Sequence, residues 1–233
     1  MHTLEATQLT KQYQGHTALN GLNLSLQSGD IFCLLGQNGA GKTTTLNIFL
    51  GFLEASSGEA RIMDIPVTMN GHATRQYLAY IPEVVQLYPN LTGIENLDFF
   101  SRLAGFTYSD IKLQEFLLKA GLQETAHRKR LQTFSKGMRQ KVGIAIALAK
   151  NAQVIFMDEP TSGLDPKATQ EFTAVVKELG QEGKTVLMAT HDLFNAVQVG
   201  TRIGIMKAGH LVHTAPTSTI TADALQQLYL ETI

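Results

Sequence analysis

With 233 residues, 44% of them hydrophobic and 17% charged, the chain is long and apolar enough to bury a sizeable core, which excludes a disordered polymer. Its 19 Lys and Arg against 20 Asp and Glu leave a net charge of -1, so the basic footprint of a nucleic-acid binder is absent and no nucleic-acid partner is expected. A single cysteine, Cys33, excludes an internal disulfide and a cysteine metal cage.

Along the chain, Met1-His2-Thr3 lacks the charged-then-apolar start of a secretion signal. Two segments alternate as strands do, around residues 4–13 and over 22–26. The unbroken apolar run Ile31–Leu35 predicts a strand buried on both faces, with Cys33 as a small buried hydrophobe. A Gly-rich turn and a helix over about 42–52 follow. From about 66 to 121 the pattern changes and predicts a helical insertion. Within it, Thr92-Gly93-Ile94-Glu95 has capping-box spacing ahead of a helix to about Ala104, and Ser109 heads a second helix that stops before Gly121. The run Arg128-Lys129-Arg130 reads as a solvated loop.

Ser135 is placed to cap a helix reaching about Lys150, and Val154–Asp158 is the next strand. Asp165-Pro166 opens another helix, with Gly183 beyond its end. Strand Thr185–Thr190, a short helix, a hairpin over 207–212 and a C-terminal helix complete the chain. Buried strands alternating with helices imply a largely parallel sheet. No apolar stretch approaches the ~18–20 residues that span a bilayer, the longest being 142–149. The expectation is a cytoplasmic chain whose attachment to a membrane comes through a partner.

The strongest chemical signal is Gly36-Gln37-Asn38-Gly39-Ala40-Gly41-Lys42-Thr43, which fits G-x-x-x-x-G-K-[ST] between a predicted strand and a predicted helix. Its glycines let the backbone wrap phosphates, and the N–H groups of the following helix face the anion. Lys42 would reach the terminal phosphates and Thr43 would ligate Mg²⁺. In Val154-Ile155-Phe156-Met157-Asp158-Glu159, a buried strand ends in two acids where ligands bind parallel sheets. Asp158 would hold the metal, and Glu159 would orient or deprotonate the attacking water.

These motifs specify a P-loop NTPase, and three more segments narrow the class. Phe134-Ser135-Lys136-Gly137-Met138-Arg139-Gln140 precedes the acidic strand, Ser162-Gly163-Leu164-Asp165 follows it, and His191 ends the next strand. In motif order, spacing and flanking residues, nearly the whole chain resembles the ABC ATPase family. The resemblance implies an α/β fold: a P-loop NTPase core of mainly parallel sheet, an N-terminal antiparallel β subdomain and an inserted α-helical subdomain. It implies one domain over 1–233, with 1–85 and 153–233 forming the core and β subdomain and 86–152 the helical part.

By the same resemblance the ligands are ATP and Mg²⁺. Thr44 joins the residues from Gly36 to Thr43 in binding ATP, Tyr13 stacks on adenine, Ser135, Lys136, Gly137 and Met138 form the signature motif, Asp165 belongs to the D-loop and His191 is the switch histidine. The signature covers ATP bound by a second subunit, so the resemblance implies a head-to-tail homodimer that drives an integral membrane permease from the inner face of the cell membrane.

Two motifs depart from the commonest family pattern. The signature Leu-Ser-Gly-Gly-Gln is here Phe134-Ser135-Lys136-Gly137-Met138, with a cation in place of a glycine. In Ala79-Tyr80-Ile81-Pro82-Glu83, Glu83 stands where most members have the Q-loop glutamine, and a carboxylate is an equally hard oxygen ligand for the metal and catalytic water. Gln86 is the alternative if the loop is shifted. Both departures, with Leu87-Tyr88-Pro89-Asn90-Leu91-Thr92, resemble exporters whose ATPase and permease are separate chains. That branch serves drugs, sodium, polysaccharides or copper-enzyme maturation. An import ATPase and an ABC ATPase without a permease are the alternatives; a single phosphate loop and the absence of a long heptad array weigh against the latter.

Overall fold

The N-terminal alternation folds as a long hairpin of β1 (His2–Tyr13) and β2 (His16–Gln27), turned at Gln14-Gly15. The computed structural model describes residues 2–69 and 71–233. β2 starts six residues before the alternating stretch because antiparallel pairing with β1, Tyr13 opposite His16 and Lys11 opposite Leu19, carries its polar first half. β4 (Ser57–Ile62) and β5 (Ile65–Pro66) add to the same sheet, whose order is β2-β1-β4-β5.

The second sheet has the order β10-β9-β3-β8-β7-β6. It is built from β3 (Ile31–Leu35), β6 (Leu78–Ile81), β7 (Val154–Asp158), β8 (Thr185–Thr190), β9 (Arg202–Lys207) and β10 (His210–Pro216). All pairs are parallel except the edge pair β9–β10. β3 shows why its sequence is unbroken apolar: Ile31, Cys33 and Leu35 enter one core, Phe32 and Leu34 the other, and all are buried. Burial pushes the Cys33 thiol up to about 12, with the Asp192 charge adding to the effect.

On one face lie α1 (Lys42–Phe49) and the antiparallel sheet. Phe49 of α1 stacks on Phe156 of β7 with centroids 5.9 Å apart, which fixes the phosphate-loop helix to the strand that carries the acids and is worth about 0.5–1.5 kcal/mol beyond area burial. α1 stops three residues short of the expected Phe52, because Gly51 turns left-handed at φ 71°.

The other core is covered by α2 (Gly93–Leu103), α3 (Asp110–Lys119), α4 (Glu124–His127), α5 (Lys136–Ala149), α6 (Pro166–Gln181) and α7 (Leu193–Val199). α8 (Ala222–Thr232) packs there through buried Leu225. The caps read from sequence are present: Thr92 and Glu95 close a capping box, and Ser109, Ser135 and Asp165 each accept from a backbone N–H three residues on.

The stretch 66–121 needs correction as a wholly helical insertion. β6 lies inside it as an edge strand of the parallel sheet, and α-helix begins only at Gly93. Arg128, Lys129 and Arg130 are exposed as expected, Arg128 reaching Asp110 at 2.6 Å. Among the described residues, no helix is long and apolar enough to cross a membrane.

Candidate functional site

Adjacent strands β3, β8, β7 and β6 are in register at their carboxyl ends: Leu35 pairs with Thr190, Asp158 with Ala189 and Ile81 with Met157. The next residues of each strand are therefore delivered to one edge, where parallel sheets bind ligands. β3 runs into the phosphate loop, β8 into His191, β7 ends in Asp158 and passes to Glu159, and β6 is followed by Pro82-Glu83.

The loop is shaped by packing from behind. A Cβ on Gly36 would lie 2.6 Å from the Met206 carbonyl and 2.9 Å from Ala40 Cβ. Gly41, at φ 107°, is the N-cap of α1, and a Cβ there would meet the Ala18 carbonyl at 2.7 Å. α1 has no side-chain cap, whereas α2, α3, α5, α6, α7 and α8 each have one. The free N–H groups of α1 stand at the end of the glycine loop, the arrangement that receives an anion. Gln37, Asn38 and Gly39 form the exposed rim, Ala40 is buried, and Thr44 is half-buried in the first turn.

Lys42 is buried and folds along the loop, donating to the carbonyls of Gly36 at 2.6 Å and Gln37 at 3.2 Å. Burial lowers its pKa, opposed by the charges of Glu159 and Asp158. Thr43 Oγ1 lies 3.4 Å from Asp158 Oδ2. Burial, then repulsion from Glu159, raises the Asp158 pKa. A hydroxyl and a carboxylate this close at the mouth of a phosphate loop fit Mg²⁺, which takes few protein oxygens and completes its shell with water and phosphate. Among the described residues no group of three or more His, Cys, Asp or Glu side chains could hold a metal on its own.

Glu159 turns left-handed, φ 44°, while its N–H donates to the Ala189 carbonyl at 2.9 Å. Its Oε2 lies 2.9 Å from His191 Nδ1 and accepts from Thr190 Oγ1 at 3.3 Å and the His191 N–H at 3.4 Å. These contacts converge on one oxygen, so the other can orient a water for in-line attack. Thr190 was not singled out from sequence, since a threonine closing a β-strand is ordinary; only the β7–β8 register reveals its contact.

Glu83, not Gln86, points into the cluster around the signature. Its Oε1 accepts from Ser162 Oγ at 3.0 Å and Lys136 Nζ at 3.3 Å. These contacts, Ser162 first, hold its carboxyl below the usual range. Gln86 lines a separate groove with Val84, Leu87, Leu131 and Arg139. Ser135 Oγ accepts from the Met138 N–H at 3.3 Å, and Met138 packs partly into the core, with Gly137 buried between them. Asp165 Oδ1 caps α6 through the Ala168 N–H at 2.9 Å. Tyr13 presents a half-exposed ring with Lys11 Nζ 5.2 Å from its centroid.

A glycine loop between strand and uncapped helix, a buried lysine within it and paired acids two strands away define a P-loop nucleotide-binding protein. The family model for ABC transporters matches residues 19–162, so the chain belongs to the ABC transporter family. It is 34% identical over 211 residues to the linearmycin resistance ATP-binding protein of Bacillus subtilis, covering 90% of this chain and 68% of that protein. It is 35% identical over 212 residues to the bacitracin transport ATP-binding protein of Enterococcus faecalis, covering 91% and 68%. Among solved structures, a dimeric ATP-binding cassette in a post-hydrolysis state with ADP and phosphate matches with TM-score 0.80 and 28% identity, over 92% of this chain and 98% of that one.

Proposed function

We propose that this chain is the Mg²⁺-dependent ATP-hydrolysing subunit of an exporter, working as a head-to-tail pair on a separate membrane permease. The observation that carries the reading is the meeting of Lys42, Thr43, Asp158, Glu159 and His191 at the carboxyl ends of β3, β7 and β8. Lys42 and the α1 N-terminus bind phosphates, Thr43 and Asp158 hold Mg²⁺, and Glu159, oriented by His191, positions the attacking water. Ser135 to Met138 cover the nucleotide of the second subunit, and Tyr13 offers its ring to adenine.

Resistance and bacitracin-transport relatives across nine-tenths of the chain support export. The surface following β6 supports a permease contact. Tyr88 and Phe99 meet edge to face at 4.9 Å while both stay substantially exposed, and Leu103 is 74% exposed. Beside them lies the Val84–Arg139 groove, where the Arg139 Nε is buried without a partner among the described residues. Residues 86–104 would transmit nucleotide state to the permease.

Affinity purification of the tagged chain from detergent-solubilised membranes tests the reading. Co-purification of a protein with several ~20-residue apolar spans, stimulated in phosphate release by its substrate, supports it. Recovery only from the cytosol with non-membrane partners overturns the transport assignment and leaves the nucleotide site standing.

A further inference from the structure

Glu83 stands in place of the usual Q-loop glutamine and Lys136 in place of the first glycine of the usual signature, and the two side chains touch. Glu83 follows β6, Lys136 is the first residue of α5, and Ser162 follows β7; the Glu83 carboxylate ties all three segments together. The backbone beneath is held separately, because buried Gln140 donates Nε2 to the carbonyls of Pro82 at 3.2 Å and Glu83 at 2.9 Å. The carboxylate and the ammonium are thus the movable part, with side chains 51% and 31% exposed.

The position of Lys136 is telling. A cation in the first turn of a helix opposes the macrodipole, and α2, α3 and α8 place Glu95, Asp110 and Asp223 there instead. Lys136 therefore gains no support from the dipole of its own helix, and its ammonium meets an anion across the cleft instead. The anion it meets is Glu83, 3.3 Å away.

We propose that Glu83 and Lys136 form a reversible clasp: each neutralises the other in the resting chain, and ATP-driven pairing of two chains exchanges this contact for two others, Glu83 turning to the nucleotide of its own site and Lys136 to the terminal phosphate held by the second copy. The inference rests on the paired-subunit reading above. The exchange is downhill. A partly exposed ion pair is worth only about two- to fivefold in an equilibrium, whereas a charge-assisted bond to phosphate is worth roughly tenfold or more. The clasp keeps the Q-loop and the signature from engaging nucleotide separately and makes each available only when the other is released.

The test uses the full chain carrying Glu159→Gln, so that bound ATP persists, and follows pairing by sedimentation velocity across an ATP titration. Glu83→Gln frees Lys136 and lowers the ATP half-point about two- to fivefold; Lys136→Gln removes the phosphate contact and raises it roughly tenfold. A merely structural ion pair would move both variants in the same direction, and that result overturns the proposal. In nucleotide-free chains, Glu83→Gln and Lys136→Gln show a coupling in a double-mutant cycle of thermal stability; additive effects overturn the resting contact. The charge exchange Glu83→Lys with Lys136→Glu keeps the stability of the parent yet abolishes pairing, and pairing like the parent's overturns the delivery of Lys136 to phosphate. If the Glu159→Gln parent stays monomeric at saturating ATP, the paired-subunit reading falls and the clasp with it, an outcome distinct from a parent that pairs while its variants fail to diverge.

Discussion

The phosphate-loop edge and the Glu83–Lys136–Ser162 cluster are made in opposite ways. The first is built from backbone and register: glycines pressed against Met206 and Ala18, an uncapped helix, and strand ends aligned by parallel pairing. The second is built from three side chains on otherwise well-capped or surface segments, joined across 53 and 79 residues. A backbone-built site is costly to alter, because its shape is set by the packing behind it. A side-chain-built contact on the surface is weak and suits a part that changes partner during a cycle.

That contrast can be broken most severely at Glu159. Glu159→Gln should lower ATP turnover by roughly 10²–10⁴-fold and leave nucleotide affinity within about twofold, as read by phosphate release beside a binding titration. A parallel loss of binding would mean that Glu159 shapes the loop and does not act on water.

The packing claim is sharpened by two alanines in the same loop. Gly36→Ala forces a Cβ against the Met206 carbonyl and should cost about 1–3 kcal/mol in urea unfolding. Gly39→Ala meets nothing within 4 Å and carries only the left-handed backbone penalty at φ 83°, about 1 kcal/mol. Equal costs would refute the view that the loop is moulded from behind. On the signature side, Ser135→Ala removes a helix cap and should cost about 1 kcal/mol, or roughly 2–4 °C in Tm.

The smallest effect is one of sign. The folded pKa of Asp158 is raised, so the folded state favours its proton and loses stability as pH climbs from the ordinary aspartate range through the raised value. Asp158→Asn should therefore increase the thermal stability of the nucleotide-free chain at neutral pH while ending Mg²⁺-dependent hydrolysis. Glu83 behaves oppositely: its pKa is lowered, so its contribution is present above the ordinary glutamate value and is lost as pH falls through the lowered one. Melting curves of the variants across the acid range check both signs.

What could be read in the sequence follows the same division. Ile31–Leu35, Val154–Asp158 and Thr185–Thr190 were legible because a strand covered on both faces must be apolar throughout. The placement of Lys42, Asp158 and Glu159 at one sheet edge was legible because each lies within one motif or at one strand end. β6 was absorbed into a helical reading: Leu78–Ile81 is four residues long, and a 3-10 turn at Arg75–Tyr77 precedes it. β4 was missed because its first half, Ser57-Gly58-Glu59, is exposed and polar, and only pairing with β1 makes it a strand. The contacts of Thr190 with Glu159 and of Glu83 with Lys136 have no local signal at all, since the first depends on which strands are neighbours and the second on how α5 packs beside β6.

Cys33, the chain's sole cysteine, sits at the centre of β3 with no exposure and a thiol pushed up to about 12. Folded, it presents almost no thiolate to an alkylating reagent at neutral pH; unfolded, it reacts as an ordinary thiol. Its labelling rate is thus an internal clock for opening of the parallel sheet. Cysteines introduced elsewhere for spectroscopic probes would be modified against a silent background, without first replacing the native one.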